Sequence, residues 1–219
     1  MPELPVIRID IVSDIMCPWC IIGYKKLEQA MRAMKDAAEF EIVWQPFELN
    51  PDMPFEGEHL GEHLRHKYGS TKEQSIKSRQ HIIETGKALG FEFCFNENSR
   101  IFNSFLAHQL LHWAKSYDKQ TVLKLALFDL YFTQQQNPSV LQILLDVAEK
   151  VGLDRNTAKE ILETQCYAQA VRDDQSFWMK NDVRAVPAFI FNKKYLLSGA
   201  QEPQILKDVI ETIIKEQTQ

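Results

Sequence analysis

The tightest constraint on this chain is a change of period at Cys17-Pro18-Trp19-Cys20. Before it, residues 6–12 alternate, with Ile7, Ile9 and Ile11 on one side, which is a strand pattern. After it, Ile21, Leu27, Ala30, Met31 and Met34 recur at three-to-four spacing to about residue 35, which is a helix pattern. Residues 40–49 are rich in β-branched and aromatic side chains and predict a second strand. Asn50-Pro51-Asp52-Met53-Pro54 turns the chain after it. The opening unit is therefore β-α-β.

Residues 58–180 read differently. Glycine is sparse there, and the periodicity predicts helices over 58–68, 72–89, 101–117, 121–132, 140–151, 155–164 and 167–180. Gly69-Ser70, Gly90, Asn137-Pro138 and Gly152-Leu153-Asp154 punctuate them, with Asp154 placed as an N-cap. Only 91–95 alternates like a short strand or extended loop. Strand signals return at 188–191 and 195–197, joined by Asn192-Lys193-Lys194 as a hairpin. After Ser198-Gly199-Ala200, Pro203 opens a final helix through 213. This order predicts an α/β fold, β-α-β then β-β-α, formed by 1–57 and 181–219. The large all-helical domain of 58–180 is inserted into it without a flexible tether.

The bulk properties exclude several functions. Of 219 residues, 45% are hydrophobic, which supports a packed core without staples. A formal net charge of -5, with no long Lys/Arg run, argues against nucleic acid as a partner. No stretch reaches the ~18 uninterrupted apolar residues of a membrane helix, so no membrane partner is expected. The first apolar run, broken by Arg8, Asp10 and Asp14, reads as a strand and not a leader, and the chain reads as cytoplasmic.

Four cysteines are too few to staple a chain this long. A close C-x-x-C pair means redox chemistry or half a zinc site, and the isolated Cys94 and Cys166 do not supply a second half. Placement between strand and helix favours redox. Cys17 stands at the helix start, where orphan N–H groups and the positive end of the dipole favour a thiolate. Its pKa is therefore expected below the free value of about 8.5. Cys17 reads as the exposed nucleophile and Cys20, almost a turn further in, as the resolving thiol. Pro18 suits the first helical turn, and Trp19 suits a substrate-facing rim better than a compact core.

Ser13-Asp14-Ile15-Met16-Cys17-Pro18-Trp19-Cys20-Ile21-Ile22-Gly23, together with Ala185-Val186-Pro187-Ala188-Phe189 and Ser198-Gly199-Ala200-Gln201, resembles the DsbA family of thiol–disulfide oxidoreductases. More narrowly it resembles the FrnE-like branch. The resemblance implies a thioredoxin fold with an inserted helical domain and a cis Val186-Pro187 peptide opposite the dithiol. The Val186 backbone would then pair with an extended substrate, a form of β-augmentation with little side-chain selection. The implied partners are thiol or disulfide peptides and proteins, with glutathione as a co-substrate. No cofactor is expected beyond the dithiol itself. One departure concerns the buried acid that such enzymes often carry six residues before the first cysteine: here that position is Ile11. Asp10 lies on the opposite strand face, and Asp14 would cap the helix or face solvent. A water or Lys25 is left as proton acceptor for Cys20.

Other constellations carry less. His59-Leu60-Gly61-Glu62-His63 matches H-x-x-E-H, which on a helix puts both rings on one face, with His66 a turn further. Gly61 in a short helix and the lack of a third ligand favour a solvated face, and no metal site is expected. Cys94 and Cys166 read as small buried residues, with a second redox pair as the alternative. His108 and His112 read as a core-edge pair, and the aromatic run 128–132 as packing. Within the fold, the runner-up is a kappa-class-like glutathione transferase or 2-hydroxychromene-2-carboxylate isomerase. Those resemble this chain but typically carry serine at the position of Cys17. A non-catalytic adaptor would leave the dithiol without purpose.

Overall fold

The computed structural model describes residues 4–217. A four-stranded sheet has the order β2-β1-β5-β6, with β1 Val6–Ser13, β2 Glu39–Pro46, β5 Ala188–Phe191 and β6 Tyr195–Ser198. β1 and β2 are parallel, and β5 runs antiparallel to both β1 and β6. β1 is central, so both its faces are covered. Ile7, Ile9 and Ile11 are fully buried and share a core with α1 (Pro18–Ala33) and α9 (Pro203–Gln217). On α9, Leu206, Ile210 and Ile213 fall at helical spacing and bury completely or nearly so. Val12, Ala188 and Ile190 occupy the opposite face with Trp178 of α8 (Ala168–Lys180). Asp10 is buried on that face too, held by Arg8 at 2.8 Å and Gln45 Nε2 at 2.7 Å.

The expected order β-α-β, insertion, β-β-α is observed. β2 stops at Pro46, short of the expected residue 49, because proline cannot donate to a ladder. The Leu49 N–H donates instead to the Asp14 side chain at 2.7 Å. In the hairpin, Asn192 and Lys193 both take positive φ (47° and 56°), and Lys194 N–H closes the turn on Phe191 O.

Between β2 and β5 lie α2 (Leu60–Tyr68), α3 (Lys72–Ala88), α4 (Phe105–Ala114), α5 (Gln120–Phe128), α6 (Leu141–Lys150), α7 (Arg155–Thr164) and α8. The insertion is not entirely helical. Glu58–His59 (β3) pairs with Arg100–Ile101 (β4), so α2 begins two residues later than expected. α4 begins at Phe105, whose N–H is turned onto Asn103 Oδ1, and not at residue 101. The helix expected over 121–132 is α5 followed by a π-turn at Asp129–Thr133. Residues 91–95 form an extended loop without a ladder. α7 has its expected bounds, and Asp154 caps it through the Thr157 N–H at 2.7 Å.

The insertion meets the sheet edge at Trp44. The Gln120 side chain accepts from Trp44 N and donates to Trp44 O, each at 2.9 Å. Among the described residues, no helix is long and apolar enough to cross a membrane.

Candidate functional site

β1 delivers the chain to α1 through a tight turn. Cys17 N–H donates to Asp14 O at 3.2 Å, and Cys20 N–H to Cys17 O at 3.1 Å. Cys17 is the N-cap of α1 with no side-chain cap bond, and Pro18 occupies the first turn. The two cysteines are free thiols in this structure. Cys20 is 0% exposed and Cys17 only 4%, so the expected order of accessibility holds but Cys17 is not exposed. Trp19 is 36% exposed and leans on His81 of α3, with ring centroids 5.8 Å apart, which brings the insertion to the rim.

The Val186-Pro187 peptide is cis, as the resemblance implied. The Cys17 thiol donates to Val186 O at 3.6 Å, so the two motifs meet across 169 residues of chain. Pro187 O accepts from Gly199 N–H at 2.7 Å, which ties the Ser198-Gly199-Ala200 turn to the same loop. The Val186 N–H has no acceptor among the described residues.

Gly23 lets α1 reach this loop. A Cβ there would lie 3.0 Å from Phe189 Cζ and 3.1 Å from Pro187 Cγ, both on buried side chains. Gly23→Ala gains ~1 kcal/mol of helix propensity against ~1–3 kcal/mol of overpacking. A net loss of stability is expected in urea unfolding, together with faster alkylation of Cys17 as Pro187 is pushed away.

The electrostatics correct the expected thiol order. The hydrogen bond to Cys20, burial, and the charges of Cys20 and Asp14 raise the Cys17 pKa well above the ordinary thiol value. Burial opposes ionisation of Cys20 too. The Cys17 thiol, the Ser13 hydroxyl, the Lys124 charge and the Asp14 backbone outweigh it, and the Cys20 pKa is lowered. The two thiols titrate as a pair, and these surroundings favour the charge on Cys20 over Cys17. The helix N-terminus favours that charge without reserving it for Cys17.

Asp14 neither caps α1 with its side chain nor faces solvent. It is buried and accepts from Met16 N at 3.1 Å and Leu49 N at 2.7 Å. His108 Nε2 lies 3.6 Å from its carboxylate. Burial pushes the Asp14 pKa up, but His108 and the two backbone donors more than reverse this, and it is lowered. His108 is thus not a core-edge residue: it sits beneath the dithiol turn.

Lys25 is engaged with Glu28 at 3.3 Å. The cation behind the dithiol is Lys124 of α5, 0% exposed, which donates to Ser13 O at 3.3 Å. Its ammonium also lies 5.3 Å from the Trp44 ring and 5.2 Å from the Phe128 ring. Burial lowers its pKa to about 8 against the opposing charges of Cys20, Asp14 and Cys17. Lys124 escaped the sequence reading, yet it had a signal. Gln120, Leu127 and Phe128 lie four, three and four residues away, so the lysine falls on the buried stripe of its own helix.

The remaining candidates lie outside this cluster. His59 is the N-cap of α2, not a residue within it, with Nε2 2.6 Å from Glu97 O. His63 is buried and bonded to Glu58 at 2.8 Å, so the two rings are engaged separately. Cys94 is half-buried and Cys166 exposed, against the expected burial of both. His112 pairs with Asp174 at 3.4 Å.

Comparison with known proteins bears on the family and the fold. The chain is 29% identical over 212 residues to the uncharacterized protein YwbO of Bacillus subtilis (strain 168), covering 96% of this chain and 97% of that one. A probable DsbA oxidoreductase from Streptomyces coelicolor superposes with a TM-score of 0.89 at 27% identity, over 94% and 89% of the two chains. The cytosolic disulfide reductase DsbM from Pseudomonas aeruginosa, solved with glutathione, shares the fold with a TM-score of 0.64 at 15% identity, over 95% and 99%. A 2-hydroxychromene-2-carboxylate isomerase shares it with a TM-score of 0.69 at 13% identity, over 96% and 98%. The model of the DSBA-like thioredoxin domain matches residues 8–211, nearly the whole described chain, and the protein belongs to that family of thiol–disulfide oxidoreductases.

Proposed function

We propose that this protein exchanges disulfides with peptides, proteins or small thiols through a mixed disulfide on Cys17 that Cys20 resolves. The observation that carries the reading is the Cys17 thiol at the start of α1, facing Val186 O beside a cis proline with Cys20 behind it. The shared proton passes to Cys20, and the Cys17 thiolate attacks one sulfur of a substrate disulfide. That bond breaks and its electron pair leaves on the other sulfur. Cys20 then attacks Cys17, the mixed disulfide breaks, and the substrate departs reduced by two electrons while the pair is oxidised to a disulfide. Run backwards, the same steps oxidise a dithiol.

The unpaired Val186 N–H offers an extended substrate a main-chain partner, and Trp19 offers it an apolar rim. In this reading 1–57 and 181–219 carry the dithiol and the proline loop, and 58–180 closes over them. Placed in the cytoplasm, the pair would stand mainly reduced. Glutathione is then a natural co-substrate, with the dithiol needing no other cofactor. The FrnE-like assignment within the family rests on the Cys17-Pro18-Trp19-Cys20 and Ala185-Val186-Pro187 motifs.

The test is Cys20→Ser, which lacks the resolving thiol. It is expected to accumulate a Cys17 adduct with a disulfide peptide, seen as added mass that a reductant removes. No adduct, or an adduct confined to Cys94 or Cys166, would refute the reading. The same variant separates the transferase alternative: glutathione conjugation that survives Cys20→Ser at the wild-type rate would favour it over disulfide exchange.

A further inference from the structure

Resolution requires the Cys20 thiol to lose its proton, and the strand position that would carry a buried acid holds the apolar, fully buried Ile11. Accepting the oxidoreductase reading above, we infer that Lys124, delivered by the inserted helical domain, is the group that receives the Cys20 proton. Three features of the fold support this.

First, Lys124 is a fully buried cation with no carboxylate in an ion pair with it among the described residues. Its one hydrogen-bond partner is the carbonyl of Ser13, at the end of β1 immediately before the dithiol turn. A lysine in such surroundings is costly unless a nearby anion appears. Asp14, the one buried carboxylate whose charge reaches it, is already bonded to Met16 N and Leu49 N and faces His108.

Second, the Ser13 hydroxyl is buried without a hydrogen bond of full geometry, yet lies close enough to Cys20 to favour its thiolate. Ser13 thus touches Lys124 with its carbonyl and faces Cys20 with its hydroxyl. The same residue stands between donor and acceptor.

Third, Lys124 has a way out. It lines a cavity of about 20 Å³, room for about one water, with His108, His112 and Asp174 also on its wall. Lys115 is the remaining charged group there. The His112–Asp174 pair on this wall is partly exposed, so the cavity wall reaches the protein surface.

The charges that oppose deprotonation of Lys124 are those of Cys20, Asp14 and Cys17. In the mixed disulfide neither cysteine is an anion, so two of the three are gone. Lys124 then releases its proton through the cavity and stands as a neutral amine at the step that needs a base. The proton moves from Cys20 Sγ to Lys124 Nζ, and the resulting thiolate attacks Cys17 Sγ. The bond from Cys17 to the substrate breaks, and its electron pair leaves with the substrate sulfur. Both cysteines end oxidised, the substrate sulfur ends reduced, and Lys124 returns its proton to solvent. In the opposite direction Lys124 protonates Cys20 as it leaves.

The experiment is stopped-flow reaction with a bis(thionitrobenzoate) disulfide in a Cys94→Ser/Cys166→Ser background. One coloured thiolate is released when Cys17 attacks, and a second when Cys20 resolves. In Lys124→Met and Lys124→Gln the second phase is expected to slow by about 100-fold or more, while the first changes several-fold at most. The pH profile of the second phase should lose the inflection that wild type shows. Lys124→Arg keeps a cation that cannot accept a proton and should leave the second phase slow. Full recovery in Lys124→Arg, or an unchanged second phase and pH profile in a folded Lys124→Met, would overturn the role. The wild-type profile tests it even if a variant fails to fold: a second phase independent of pH between about 7 and 9 would refute it. Absence of the first phase would instead refute the Cys17 chemistry, and the Lys124 role with it.

Discussion

Cys17→Ser is expected to abolish disulfide exchange, a loss on the order of 10³-fold or more. A serine hydroxyl is not ionised near neutral pH and cannot form the mixed disulfide. Cys20 cannot stand in for it, because no part of its side chain reaches solvent. The cost to folding should stay within about 1 kcal/mol, since the smaller hydroxyl can still donate to Val186 O where the thiol did. Insulin reduction followed by turbidity gives the activity, and urea unfolding of both proteins gives the control. Wild-type turnover in the variant would move the chemistry to Cys94 or Cys166, the remaining thiols within reach of solvent.

The second large effect falls on stability. Asp14→Ala is expected to cost roughly 3–5 kcal/mol. It orphans the buried N–H of Met16 and the part-buried N–H of Leu49, and removes the carboxylate that faces His108. It also unties the segment after β2 from the turn that presents Cys17, so Cys17 should alkylate faster as well. The pH dependence has a definite sign. The folded pKa of Asp14 is lowered, so the unfolded state binds its proton first on acidification. The stability Asp14 contributes is therefore present above the unfolded carboxyl value of about 3.9 and is lost as pH falls through the folded pKa. Asp14→Asn should flatten the acid limb of the stability curve relative to wild type. Urea midpoints over that range provide the measurement, and an Asp14→Ala protein within about 1 kcal/mol of wild type would show that the carboxylate is not holding the turn.

How much of this was legible in the sequence depends on the range of the interaction. β1, α1, the hairpin and α9 follow from local period and turn signals, because each packs against partners that a thioredoxin-like sheet supplies. α7 and its Asp154 cap were equally readable, since an N-cap is settled within four residues. Boundaries failed where a distant residue decides them. Glu58–His59 is drawn out of α2 by Arg100–Ile101, and Leu49, expected at the end of β2, is instead held by Asp14. The dithiol was legible as a motif and the proline loop through family resemblance. Their electrostatics were not. The Cys17 pKa direction turns on its contact with Cys20, and the buried groups behind the dithiol, Asp14, His108 and Lys124, come from the turn after β1, from α4 and from α5. Periodicity could have flagged Lys124 as a charge on an apolar stripe, but not what lay opposite it.

β2 is a sheet edge, and an edge strand ordinarily offers its unpaired N–H and C=O groups to any passing chain. At Trp44 that offer is already taken, because the Gln120 carboxamide supplies an acceptor and a donor at 2.9 Å each, as a neighbouring residue of another strand would. One side chain thus acts as a counterfeit rung, borrowed from a helix. Its removal, as in Gln120→Ala, would expose a template for self-association on the side of the sheet away from β6.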